Sequence, residues 1–307
     1  MGVLFAVLSA CAFATNNVII KKGARGSKSN NGFYITVLMN AILLGICFFV
    51  VVLLQDRPFS ISWQALPFFL LAGLCTTGLG RMTLYSSILR VGPSKASAIR
   101  NATPIFTTLF AVLILHESIA LLPGIGMILL VGGVLFAGYG FVKDRERSGN
   151  LTEESRQAQK QALTGYGMAV FSAAIFGIGQ GFRKQGLNIM DDAFFGAASG
   201  AFASLLFIIV LQAAKGKLKE TVEGVRNDFN RYFLLAGALT SVGPLLFFMA
   251  ASTLQISYVS AIAASEPLIT TVVSALFIRN QETITPATWT TVAMIFAGTA
   301  IMAVFAG

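Results

Sequence analysis

The sequence predicts an all-α integral membrane protein, with ten transmembrane helices arranged as two inverted five-helix repeats. Three observations carry this. Hydrophobic residues make up 55% of the 307 and charged residues 11%, with mean hydropathy +0.76; a soluble domain carries roughly 25% charge. Apolar runs of about 20 residues recur along the whole chain, the length a helix needs to cross a hydrocarbon core of roughly 30 Å. The chain also repeats itself. Ala6 to Phe13, followed by Lys21 and Gly23, returns 163 positions later as Ala169 to Phe176, followed by Lys184 and Gly186. Leu70-Leu71-Ala72-Gly73 returns as Leu234-Leu235-Ala236-Gly237, and Pro104, Thr107 and Thr108 return as Pro267, Thr270 and Thr271. Matches in the same order at nearly one offset indicate an internal duplication.

In order, the spans read Gly2 to Ile20, Phe33 to Leu54, Leu66 to Leu89, Ser94 to Leu115 and Ile119 to Val142. After these come Leu163 to Phe182, Ala193 to Ala213, Tyr232 to Leu254, Ile256 to Ile278 and Pro286 to Ala306. Strands are excluded, because open strands leave backbone groups unpaired in lipid and the alternation of a barrel is absent. The first span lacks a charged leader and reads as a retained helix. Leu8-Ser9-Ala10-Cys11 resembles a lipoprotein cleavage box, but the apolar run continues past it. Cys11, Cys47 and Cys75 lie inside apolar spans as small buried hydrophobes, with no partner at metal-ligand spacing. Gly177, Gly179 and Gly181 share one span, and Gly196 and Gly200 form a small-xxx-small pair. Such residues let membrane helices approach closely.

The charged stretch 143–162 separates a first repeat, 1–142, from a second, 163–307. Five spans per half is an odd number, so the second half enters the membrane from the opposite side. Inverted repeats place binding sites near the midplane where the halves meet. Basic residues concentrate on the loops after spans 1, 3, 5, 7 and 9, leaving Arg57, Arg183 and Lys184 for the other side. The positive-inside rule then puts both termini outside the cytoplasm. The net charge of +9 reads as topology and contact with anionic lipid head groups. Nucleic-acid binding is not expected, because the basic residues are scattered with no aromatic platform.

Pro104 follows Ala102-Thr103 in span 4, and Glu266-Pro267 follows Ser265 in span 9; each leads through an apolar stretch to a Glu-x-Ile segment, at Glu117 and Glu282. This pattern resembles the EamA type of the drug/metabolite transporter superfamily, along essentially the whole chain. The resemblance implies a ten-helix secondary transporter with a central cavity, often an exporter of amino acids, drugs or other metabolites. It also implies cytoplasmic termini and a basic second loop. Here that loop holds only Arg57, and the charge bias points the other way.

Ionisable groups at membrane depth are the default functional suspects. Arg81 lies about 22 Å into span 3 at 1.5 Å per residue, and Glu266 is near the middle of span 9. Either they neutralise one another, or one binds substrate or a proton; an Arg81–Glu266 pair is the expectation. Arg100 and Asn101 sit one turn before Pro104, where a helix proline frees a carbonyl. The Arg100 fork either receives a carboxylate, sulfonate or phosphate or snorkels to the interface. Asn16 and Asn17 correspond to Gly179 and Gln180 in the repeat, as cavity amides or helix–helix bonds. Tyr85, one turn after Arg81, could share its space. His116 reads as a surface residue at a helix end.

Asn17, Arg81, Tyr85, Arg100, Asn101, Gln180 and Glu266 are therefore the candidate substrate-binding residues. Motifs for a membrane enzyme are absent: there is no His-Glu-x-x-His, Gly-x-Ser-x-Gly or phosphate loop. No cofactor and no metal are expected. The expectation is a multi-pass transporter of the inner (plasma) membrane, an exporter working by alternating access on a small anionic or zwitterionic metabolite such as an amino acid, with possible proton coupling. A membrane scaffold or signalling protein is the alternative.

Overall fold

The computed structural model describes residues 1–24, 31–55, 61–122, 124–129, 132–133 and 153–266, with isolated positions between 269 and 304. Every regular element among the described residues is helical. Spans 1 and 2 are α1 (Gly2–Ala24) and α2 (Gly32–Gln55). Span 3 is built from α3 (Leu66–Gly73), a π-helical stretch over Leu74–Gly80, and α4 (Arg81–Val91). Span 4 is two helices, α5 (Pro93–Arg100) and α6 (Thr103–Ile114). Then come α7 (Glu153–Ile189), α8 (Ala193–Ala214), a short surface helix α9 (Leu218–Asn227), α10 (Arg231–Thr253) and α11 (Ile256–Ala263), which opens span 9. Much of span 5, most of span 9 beyond Glu266 including Pro267, most of span 10, and Glu282 lie outside the described residues.

Two expected boundaries move. Helix α7 starts at Glu153, within the stretch read as a linker, and runs seven residues beyond Phe182, to Ile189. It stops there because Asp192 caps the next helix, accepting from the Phe195 N–H at 2.8 Å. Arg183 is thereby a helix residue inside the bundle, and Lys184 is half-buried with it. The turn between spans 3 and 4 and the break within span 4 have local causes. Gly92 takes φ 91°, which a side chain disfavours, Pro93 starts α5, and Pro104 opens α6.

Six described helices are long and apolar enough to cross a membrane. On α2, Ile42, Ile46, Phe49 and Leu53 are all exposed and recur at helical spacing. In water this stripe would be a liability; in lipid it is the face toward the solvent. The buried interior is built largely from Ala, Gly, Ser and Phe. Gly73 packs on the Gly200 backbone so tightly that a Cβ on Gly73 would stand 2.0 Å from the Gly200 carbonyl oxygen. Gly177, Gly181 and Gly196 face phenylalanines as closely. The cysteines are half-buried and unbonded, not fully buried as expected.

The packing repeats itself when the halves are exchanged. Span 1 lies along span 8 as span 6 lies along span 3; span 2 meets span 8 as span 7 meets span 3. Hydrogen bonds obey the same exchange. Ser9 donates to the Gly243 carbonyl at 2.7 Å, and Ser172 donates to the Gly80 carbonyl at 2.8 Å. Both partners shift by 163. The halves are thus interleaved, and each supplies walls to the other's interior.

Candidate functional site

Spans 4 and 9 both break at the bundle centre, at repeat-related places. The α5–α6 break is a turn at Asn101-Ala102, and α11 ends in a turn at Ala264-Ser265. The Asn101 side-chain amide donates to the Ala264 carbonyl, joining two positions 163 apart. Pro104 has no N–H to offer the Arg100 carbonyl; the Thr103 hydroxyl replaces it at 2.6 Å. Span 8 shows the same logic. Pro244, inside α10, frees the Thr240 carbonyl, which accepts from the Asn40 amide at 2.7 Å and from Arg81 at 3.5 Å.

Glu266, just past the second break, is 1% exposed. One carboxylate oxygen accepts from the Asn17 amide at 2.6 Å, and the other accepts from Arg100 in a salt bridge. Asn17 also donates to Ser97 at 2.9 Å. The Arg100 guanidinium stacks over the Phe176 ring, 5.1 Å from its centroid. The expected partner was different: Glu266 pairs with Arg100 and not with Arg81. Depth alone suggested Arg81, but its helix directs it to the Thr240 carbonyl left free by Pro244, whereas the break in span 4 brings Arg100 across to span 9.

Arg81 and Arg183 are each 4% exposed. Arg81 reaches the Thr240 carbonyl and Arg183 reaches the Thr76 hydroxyl, both at 3.5 Å, the outer limit of a hydrogen bond. Arg183 also lies over Phe247 and Phe248, at 4.9 and 4.2 Å from their centroids. Among the described residues, Nη1 of Arg81 and Nε of Arg183 are buried without a partner. The π-helical stretch presents Thr76 and Thr77, and the first residue of α4 presents Arg81, to the same space.

That space is a narrow central cavity of about 30 Å³, room for about two waters. Arg81, Arg100, Asn101, Gln180 and Glu266 line it, together with Arg183. Asn17 joins through Glu266. Gln180 accepts from the Thr107 hydroxyl at 2.8 Å, and Thr107 in turn accepts from Ser260 at 3.1 Å. The amide of span 6 thus holds spans 4 and 9 together, as its counterpart Asn17 does on the other side. Tyr85 lies apart. It is bonded to Asn16 at 3.2 Å and borders a different pocket, with Phe33 and Ile20.

Arg183 escaped the sequence reading because Arg183-Lys184 was taken as the end of span 6. The available signal was Asp191-Asp192, which marks the start of the next helix and leaves two more turns for this one. Glu117 was noted only as part of a motif. It caps α11, accepting from the Ile256 N–H at 3.1 Å and the Ser257 hydroxyl at 2.7 Å. Beside it, Lys184 donates to the last carbonyls of α10, Ala251 at 2.8 Å and Leu254 at 3.0 Å. One half therefore holds the helix ends of the other at the rim of the site. His116, exposed and with φ 55°, closes the C-terminus of α6.

Comparison with known proteins agrees with this architecture. Residues 1–139 and 163–304 each match the EamA-like transporter family. No curated protein matches the chain. Twenty-eight chains of solved structures do. One crystal structure, 12% identical, covers 97% of this chain and 98% of its own with a TM-score of 0.64, a likeness of fold.

Proposed function

The chain belongs to the EamA-like transporter family, and from that premise we propose that it carries a small anionic or zwitterionic metabolite, such as an amino acid, across the plasma membrane by alternating access. The observation that carries the proposal is the buried Arg100–Glu266 pair, set at the repeat-related breaks of spans 4 and 9 and facing the central cavity. Broken helices at the meeting of two repeats are where secondary transporters bind their cargo. The narrow cavity represents a closed stage of the cycle. The symmetric packing supplies two equivalent ways to open it, one toward each side.

The chemistry of the pair suggests how binding and a proton are linked. With Glu266 ionised, Arg100 is neutralised and held by it. A proton on the Glu266 carboxylate removes that charge, and a substrate carboxylate takes its place on the Arg100 fork. Asn17 stays within reach of Glu266 in either state. Each event favours the other, and by linkage the coupling is reciprocal. Because proton and anion bind together, the coupling is symport, with direction set by the sum of the two gradients. Export runs when the outward gradient of the substrate exceeds the opposing proton gradient.

Uptake into proteoliposomes with and without an imposed proton gradient tests this. A proton-dependent accumulation that Glu266→Gln abolishes, with exchange across the membrane retained, is the expected result. Normal accumulation by Glu266→Gln would reduce the carboxylate to a structural counter-ion.

A further inference from the structure

We infer that Arg81 and Arg183 form a second anion seat in the central cavity, and that the cargo carries a doubly negative group, a phosphoryl or a pair of carboxylates, to fill it. The inference rests on the transporter reading above and narrows its substrate class. It starts from charge. Three guanidiniums line the cavity, from Arg81, Arg100 and Arg183, against the single carboxylate of Glu266. In the sequence, Glu266 is the only Asp or Glu inside any of the ten apolar runs; the others fall in loops or at helix ends. With Arg100 paired to Glu266, two positive charges remain.

Neither is well satisfied. Among the described residues, each makes one weak bond, at 3.5 Å, to a neutral oxygen. Nη1 of Arg81 and Nε of Arg183 have no partner among the described residues, although both side chains are more than nine-tenths buried. The two lie close enough to act on one another electrostatically. Uncompensated like charges in a bilayer interior are costly and are retained where they bind something. The Arg183 guanidinium lies against the Phe247 and Phe248 rings, and its Nε is left without a partner among the described residues. A planar fork with fixed donors suits an oxyanion.

The total also discriminates between cargoes. A zwitterion leaves both surplus charges standing, and a monoanion leaves one. A dianion cancels them. The two arginines come from different halves, Arg81 from span 3 and Arg183 from span 6. A dianion between them would bridge the repeats, so its release and the separation of the halves would be one event.

Thermal unfolding of the purified protein in detergent, at fixed ionic strength, tests the seat. The probes are sulfate against chloride, and succinate against its mono-amide succinamate. Wild type is expected to be stabilised by the dianions at concentrations at least tenfold lower than by the monoanions. Arg183→Gln and Arg81→Gln should each bring that ratio close to one, and Arg183→Lys should restore part of it. An equal preference in wild type and both Gln variants overturns the seat, as does a wild type without dianion preference. If monoanions or zwitterions bind with an affinity that Arg100→Ala removes and Arg183→Gln leaves unchanged, the transporter reading stands and the second seat falls. If no arginine variant alters any probe, both fall.

Discussion

Replacing Glu266 by Gln keeps the size and one acceptor of the side chain but leaves Arg100 as a buried cation without a counter-charge. The pair is 1% and 8% exposed at its two residues, so water can replace little of the lost interaction. Removing one partner of a buried ion pair costs about 3–5 kcal/mol, whereas removing both is close to neutral. At roughly 2 °C per kcal/mol for a chain of this size, Glu266→Gln should lower the unfolding midpoint in detergent by about 6–10 °C. Arg100→Gln should do the same at neutral pH and less at acidic pH, where a protonated Glu266 carries no charge. The double variant Arg100→Gln/Glu266→Gln should recover most of the loss, so that the coupling in a double-mutant cycle exceeds either single loss. Two single losses that simply add would show that the guanidinium and carboxylate do not interact, and would remove the physical basis of the site.

Gly73→Ala should destabilise by about 1–3 kcal/mol or more, since its Cβ meets the Gly200 backbone at 2.0 Å and neither side can rotate away. Gly167→Ala, with nothing within 4 Å of the new Cβ, should be neutral or slightly stabilising in the same melt. Glu117→Ala removes the cap of α11 and should cost about 1–2 kcal/mol, with slower transport because α11 leads into the Glu266 turn; unchanged stability and rate would dismiss the cap. A reporter fused after Gly307 should be active outside the cytoplasm, following the basic loops; activity only in the cytoplasm would reverse the assigned orientation.

The membrane class, the helical architecture and the irregularity before Pro104 were legible in the sequence because they depend on one coordinate, distance along the chain. Apolar length gives the spans, and Pro104 marks the break in span 4. The turn at Ala264-Ser265 in span 9 was not foreseen, although it lies at the same 163-residue offset. Partners were harder, because they depend on how each helix is rotated. Arg81 and Glu266 share a depth, yet Arg81 reaches the Thr240 carbonyl that Pro244 leaves free, while the broken span 4 hands Arg100 to Glu266. Arg183 was lost for the opposite reason. A charged pair looks like a span end, and nothing in hydropathy distinguishes an arginine buried against Phe247 and Phe248 from one in water. The close approach of Gly73 and Gly200 was half visible, as a small residue waiting for a partner that only the fold supplies.

The most direct test of the account is counterflow of labelled substrate in proteoliposomes, comparing wild type with Arg100→Ala, Arg100→Lys and Glu266→Gln. The substrate would first be identified by thermal shift across anionic and zwitterionic metabolites. Arg100→Ala should abolish counterflow and Arg100→Lys should keep a fraction of it. Glu266→Gln should sustain exchange at near wild-type rate while losing accumulation driven by a proton gradient. Wild-type counterflow in Arg100→Ala would place the substrate away from the buried pair and contradict the account.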